Sequence, residues 1–146
     1  MKKLMFLALS LMITSAMNSQ NVNFSGSWKL NSSLSTLNSE WSMAPHDIII
    51  DQKGNDLKVE KHSSFQGEEF TINDKFTLDG KECINTGWQD SQKKSTAVWS
   101  QDKNSLTSTT KRIMGDGGEM TIIELYKMDK KNLSLNARAS SSYGDM

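Results

Sequence analysis

Phe24-Ser25-Gly26-Ser27-Trp28-Lys29-Leu30 is the stretch on which the fold turns. It opens a run of short alternating segments that continues to the C-terminus with almost no helical pattern. Alternation marks a strand with one buried face, because successive side chains point to opposite sides. Predicted strands cover Phe24–Asn31, His46–Gln52, Leu57–Phe65, Phe70–Leu78, Lys81–Thr86, Lys93–Ser100, Ser105–Met114, Glu119–Met128 and Asn132–Ser140. Phe70–Leu78 alternates most clearly, with Phe70, Ile72, Phe76 and Leu78 on one face and Thr71, Asn73, Lys75 and Thr77 on the other. Four residues break the pattern: Lys61 and Asp74 fall in phase with apolar neighbours, and Ile49 and Leu125 fall out of phase.

Tight turn chemistry separates these segments. Gly54, Gly67 and the run Gly115-Asp116-Gly117-Gly118 each mark a reversal. Asp79-Gly80 is the strongest hairpin signal, since a type I′ turn needs positive φ. A two-residue loop there pairs Leu78 with Lys81 and Phe76 with Cys83, which puts Cys83 on the apolar face. Ser32 to Pro45 is the longest connection, and its Leu34, Leu37 and Trp41 fall at helical spacing, so a helical turn is expected there. The tail Ser141–Met146 has no strong signal and is expected to fray.

Residues 1–20 read as a cleaved secretory signal. Lys2 and Lys3 supply its positive start and Leu4 through Ile13 an apolar core too short to span a bilayer. Residues 21–146 then form a single domain, with a secreted or periplasmic location. The whole chain carries 17 basic and 17 acidic side chains, and removing Lys2 and Lys3 leaves a slight acidic excess. That balance excludes a nucleic-acid footprint and gives no affinity for an anionic membrane surface. Cys83 is the single cysteine, so no internal disulfide is available.

About nine short strands in sequential hairpins make an antiparallel meander. Left open, such a sheet exposes two edges and one apolar face; closure into a barrel removes both problems. The expected architecture is all-β, an up-and-down barrel of about 8–10 strands with a lid-like connection after the first. A two-sheet sandwich is the competing arrangement.

The opening strand, Gly26-x-Trp28-Lys29, resembles that of lipocalins and fatty-acid-binding proteins, the calycin group. Pro45, the Asp79-Gly80-Lys81 hairpin and Trp99 add to a likeness with small secreted lipocalin-like proteins of bacteria. The resemblance covers most of the chain after residue 20. It implies that Trp28 plugs the closed end of a barrel, that Gly26 gives the backbone room to approach it, and that Arg138 packs over that indole. An exposed position for Arg138 on the outer wall is the alternative. The chain departs from the group where Arg138 is followed by Ala139-Ser140 rather than by the Arg-x-Tyr that holds a carboxylate.

Ligand contacts are expected from Phe70, Ile72, Phe76, Leu78, Trp99 and Tyr126, which otherwise simply fill a core. Two-residue hairpins at 115–118 and 129–132 put Arg112, Ile123 and Arg138 on one face. Ile122, Glu124, Tyr126, Leu133 and Leu135 then share the other, and a single bulge exchanges the faces. Catalysis has little support: His46 and His62 stand apart, no Gly-x-Ser-x-Gly elbow occurs, and no metal-ligand spacing is present. No cofactor is implied. The expected function is an exported lipocalin-like protein that binds a small apolar or amphipathic, lipid-like molecule without chemistry. The alternative is a solid-cored module that binds a protein or cell-surface partner.

Overall fold

The computed structural model describes residues 21–37 and 43–145. The expected signal segment lies outside them. Among the described residues no helix is long and apolar enough to cross a membrane. The chain forms β1 (Gly26–Lys29), β2 (Asp47–Lys53), β3 (Asp56–Phe65), β4 (Glu68–Thr77) and β5 (Cys83–Thr86). It continues with β6 (Gln92–Trp99), β7 (Ser105–Ile113), β8 (Glu119–Asp129), β9 (Asn132–Ser141) and β10 (Gly144–Asp145). A three-residue 3₁₀ turn at Trp88–Asp90 is the one helical element among the described residues.

The strands pair strictly in sequence, as an antiparallel meander split into two sheets. One has the order β1-β2-β3-β4 and the other β10-β9-β8-β7-β6-β5. The fold is therefore all-β, as the alternation requires. No backbone ladder joins the sheets among the described residues, so a closed barrel is not found.

The break falls at Asp79-Gly80, where the sequence pointed to a hairpin. The Lys81 amide donates to the Asp79 carboxylate at 3.0 Å and the Leu78 amide to the Asn55 carbonyl at 2.8 Å. Asp79 thus closes a local turn with its own side chain, and the chain leaves the first sheet instead of doubling back on it. Strand β5 pairs with β6, placing Cys83 opposite Ser95 rather than Phe76. Cys83 is half-buried, its Sγ 3.6 Å from Thr77 Oγ1. Asn85 substitutes for the missing ladder: its side-chain amide accepts from the Lys75 N–H at 2.8 Å and donates to the Lys75 carbonyl at 2.9 Å. One side chain thereby imitates a β-bridge between β4 and β5.

Three further expectations are corrected. The connection after β1 shows a turn at residues 32–34 and no helix among its described residues. The Asn31 carboxamide and carbonyl take the amides of Ser33 and Leu34, which is turn chemistry. Leu34, Leu37 and Met43 are exposed, and Trp41 lies outside the described residues. The tail is not frayed: β10 folds back on β9, Gly144 opposite Ser141. The β7–β8 turn is one residue longer than a two-residue hairpin. Gly117, at φ +84°, donates to the Met114 carbonyl, and the Met114 amide to the Gly118 carbonyl. A type I turn followed by a left-handed glycine is the favoured three-residue hairpin, and it shifts the register by one.

Residues from both sheets share one interior. Phe24, Ile48, Ile50, Leu57, Val59, Phe76 and Leu78 meet Ala97, Leu106 and Tyr126 in a single apolar cluster.

Candidate functional site

The interior between the sheets has two chemically different ends. The apolar end is built on Phe24, which is 1% exposed. Its ring stacks on Trp99 with centroids 5.7 Å apart and tilts against Tyr126 at 6.1 Å. Trp28 is half-buried against the same cluster, and its indole Nε1 donates to the Phe24 carbonyl at 3.0 Å. Gly26 sits at φ +153°, where a Cβ would lie 3.4 Å from the Trp28 ring. A side chain there would crowd the indole in a backbone conformation that suits glycine. Phe76, Leu78 and Tyr126, expected to touch a ligand, are buried members of this packed cluster.

The polar end begins two residues further along each strand. Lys61 and Asp74, the two charged residues in phase with the apolar face, point inward and are buried. Lys61 Nζ donates to Glu124 Oε1 across the sheets. The other Glu124 oxygen accepts from Tyr126 Oη at 2.9 Å and from Ser108 Oγ at 3.2 Å. Lys93 Nζ donates to Asp74 Oδ1 at 2.6 Å, again from one sheet to the other. Ser95 and Thr110 hydroxyls bond to each other at 2.9 Å. Charges inside a protein persist only where they are paired and hydrogen-bonded, and both ion pairs meet that condition. Burial raises the Glu124 carboxyl's pKa, but Lys61 and the two hydroxyl donors outweigh it and leave the group below its ordinary value. Burial pushes the Tyr126 phenol well up, and the Glu124 charge and hydrogen bond push it further.

Phe70 and Ile72 lie at this end, half-buried, as cross-strand partners of Ser63 and Lys61. Arg112 joins them because of the longer β7–β8 turn. It is paired with Lys93 on one side and Met120 on the other, both buried. The two-residue reading placed Arg112 with Ile123 and Arg138; the one-residue shift turns it onto the face of Ile122, Glu124 and Tyr126. Arg138 is opposite Ile123 and exposed on the outer face. Trp28 faces inward beside Ile48, so Arg138 does not pack over that indole and the outer-wall alternative holds for it. Among the described residues, Arg112 Nε and Trp99 Nε1 are the buried side-chain donors without an acceptor.

A second polar group lies outside the interior, where β2 begins. His46 places Nδ1 2.7 Å from Asp47 Oδ2 and Nε2 2.9 Å from Glu69 Oε2. Lys29 Nζ reaches Asp47 at 3.3 Å. The Glu69 and Asp47 hydrogen bonds raise the His46 pKa. No trio of potential metal ligands gathers among the described residues. Two half-open hollows mark the outer faces. One, of about 320 Å³, lies among Thr107, Ile123, Leu125, Asn136 and Arg138. The other, of about 210 Å³, is lined mainly by Ile49, Asp51, Lys58, Glu60, Asn73 and Lys75.

Sequence reasoning had flagged Lys61 and Asp74 by their phase but missed their partners. Lys93 and Glu124 sit in ordinary alternating segments, and only the facing of the two sheets identifies them. No family model matches the chain, and no curated protein or solved structure matches it either.

Proposed function

We propose that this is an exported, lipocalin-like binding protein that takes up a small amphipathic molecule between its two sheets and performs no chemistry on it. The observation that carries this reading is the gradient along the interior. A sealed apolar cluster at Phe24, Trp99 and Tyr126 gives way to Lys61, Asp74, Lys93, Glu124 and Arg112, with half-buried Phe70 and Ile72 alongside. A core meant only for stability gains nothing from two buried ion pairs, because well-packed apolar residues of similar volume stabilise as much or more. A ligand with an apolar body and a polar head matches both environments. The Asn85 bridge supports the idea that the meander closes on itself as a barrel, with that side chain at the β4–β5 seam.

Phe70 and Ile72 remain the ligand-facing candidates of the original set, whereas Phe76, Leu78 and Tyr126 support them from the packed end. Native mass spectrometry of gently purified protein, followed by organic extraction, tests the reading. A discrete bound amphiphile, or saturable uptake of added alkyl probes weakened by Phe70→Asp, is the expected result. Absence of both defeats it.

One observation favours a second reading. The two hollows lie on the outer faces, and Ile49, Ile84, Val98 and Ile113 are exposed there. A solid-cored module that docks a protein partner on a sheet face would use those residues. Substituting Ile49 and Val98 by Lys would then abolish partner capture and leave alkyl-probe uptake untouched.

A further inference from the structure

We infer that Arg112 is the anchor for the ligand's head group, and that this head group is a monoanionic oxyanion, a carboxylate in the simplest case. The inference rests on the binding reading above and adds to it the charge of the ligand. The observation is a charge count on the inward face. Three cations stand there, Lys61, Lys93 and Arg112, against two buried or nearly buried carboxylates, Asp74 and Glu124. Each lysine is matched by one carboxylate from the opposite sheet. Among the described residues Arg112 has no carboxylate within ion-pair distance, and its Nε–H is buried without an acceptor. Glu68, the other acid on the inward side of β4, is exposed at the β3–β4 turn.

A guanidinium is permanently charged in proteins, so the mismatch is met only by a counter-charge. The guanidinium therefore keeps its charge, and its planar fork is suited to two oxygens of one oxyanion. Neighbouring groups favour the same chemistry. Thr110, two residues before Arg112 on β7, spends its hydroxyl on Ser95, and Lys93 is committed to Asp74. Neither competes for the guanidinium, and neither supplies a carboxylate that would repel the ligand. A single excess positive charge calls for a single negative one, which excludes a dianionic head as the best fit. A neutral head group can accept from the buried Nε–H but leaves the guanidinium's charge unmatched, whereas an oxyanion does both and makes the stronger, charge-assisted bond.

Isothermal titration of the purified protein with decanoate and with 1-decanol, which share a chain length, tests this. Decanoate should bind at least about tenfold tighter. In Arg112→Gln the preference should shrink to under about threefold. Arg112→Lys should retain part of the preference. Arg112 and Arg138 are the two arginines of the chain, so nitrogen-15 spectra carry two arginine Nε–H signals. The Arg112 signal should move on adding decanoate and not on adding 1-decanol, with the Arg138 signal fixed. That measurement uses the unaltered protein and decides the matter even where a variant does not fold. Equal affinity for both probes, a preference that survives Arg112→Gln, or movement of the Arg138 signal instead would each overturn the anchor and leave the binding reading standing. Failure of both probes to bind removes the binding reading and the anchor together.

Discussion

Asp74 and Lys93 each lose most of their hydration in the folded state, and each is tolerable only because of the other. Their side chains are 8% and 9% exposed and 2.6 Å apart. Removing one partner strands the other in a poorly hydrated site. Asp74→Leu should therefore destabilise the protein by about 3–5 kcal/mol. The double variant Asp74→Leu/Lys93→Met should recover most of that loss, since an apolar pair of similar volume is roughly neutral. Urea unfolding of the two single variants and the double variant closes the cycle. Additive losses would show that the two charges do not depend on one another. His46 makes the opposite kind of contact, exposed and dependent on pH. Both ring nitrogens face carboxylates, and only the doubly protonated imidazolium donates to Asp47 and Glu69 together. Its folded pKa is raised, with the Glu69 hydrogen bond the largest cause. The stabilisation is complete below the unfolded pKa of about 6.5 and is lost as pH rises through the higher folded value. Thermal unfolding against pH should show this loss in the native protein and not in His46→Gln. At this scale the sequence was partly readable. Lys61 and Asp74 announced themselves as charged residues in phase with an apolar face. Arg112 did not, because its direction depends on a turn whose length is set by Gly117.

Strands were the most legible elements, because alternation reports burial directly and each apolar face has one way to be covered. Turns were less so. Asp79-Gly80 carries hairpin chemistry, yet the Asp79 carboxylate captures the Lys81 amide and the chain crosses to the other sheet. Local preference says that a turn forms; it does not say which strand receives the chain. Asn85 compensates at that crossing, and its buried carboxamide was invisible in a segment that reads only as a short polar strand. Asn85→Ala leaves the Lys75 amide and carbonyl without partners. Each unsatisfied group costs about 1–3 kcal/mol unless water reaches it. The expected result is a loss of up to about 2–6 kcal/mol for the two groups together and faster hydrogen exchange at the Lys75 amide, with exchange at Ile50 changed only by the global loss. An unchanged Lys75 amide would mean that the side-chain bridge does not hold the seam. Gly117 governs the other turn. A Cβ there meets nothing within 4 Å, so Gly117→Ala tests backbone conformation alone. Left-handed geometry disfavours an L side chain by about 1–2 kcal/mol, and unfolding by urea should register that cost.

At the scale of the molecule, two sheets with no common ladder among the described residues raise the question of whether they fold as one body. The core answers through composition. Seven of its buried members come from residues 24–78 and three, Ala97, Leu106 and Tyr126, from the second sheet. Neither set closes a core by itself: a sheet with one apolar face must bury it against a partner. Both ion pairs also cross the interface, so separating the sheets strands four charges at once. Unfolding one sheet alone would expose the apolar face of the other and leave its buried charges unpaired. The expected behaviour is a single cooperative transition. Hydrogen exchange offers the sharper test, since it resolves opening residue by residue. Val59 in β3 and Leu106 in β7 are 2% and 0% exposed, and each reports on its own sheet. Their amides should exchange with the same opening free energy, equal to that of global unfolding, and should respond equally to Asp74→Leu. If Val59 opens more readily than Leu106 by more than about 1 kcal/mol, the first sheet detaches on its own. The interior would then be a hinged interface, and the proposed ligand would enter by separating the sheets rather than by passing the half-buried Phe70 and Ile72 at the polar end.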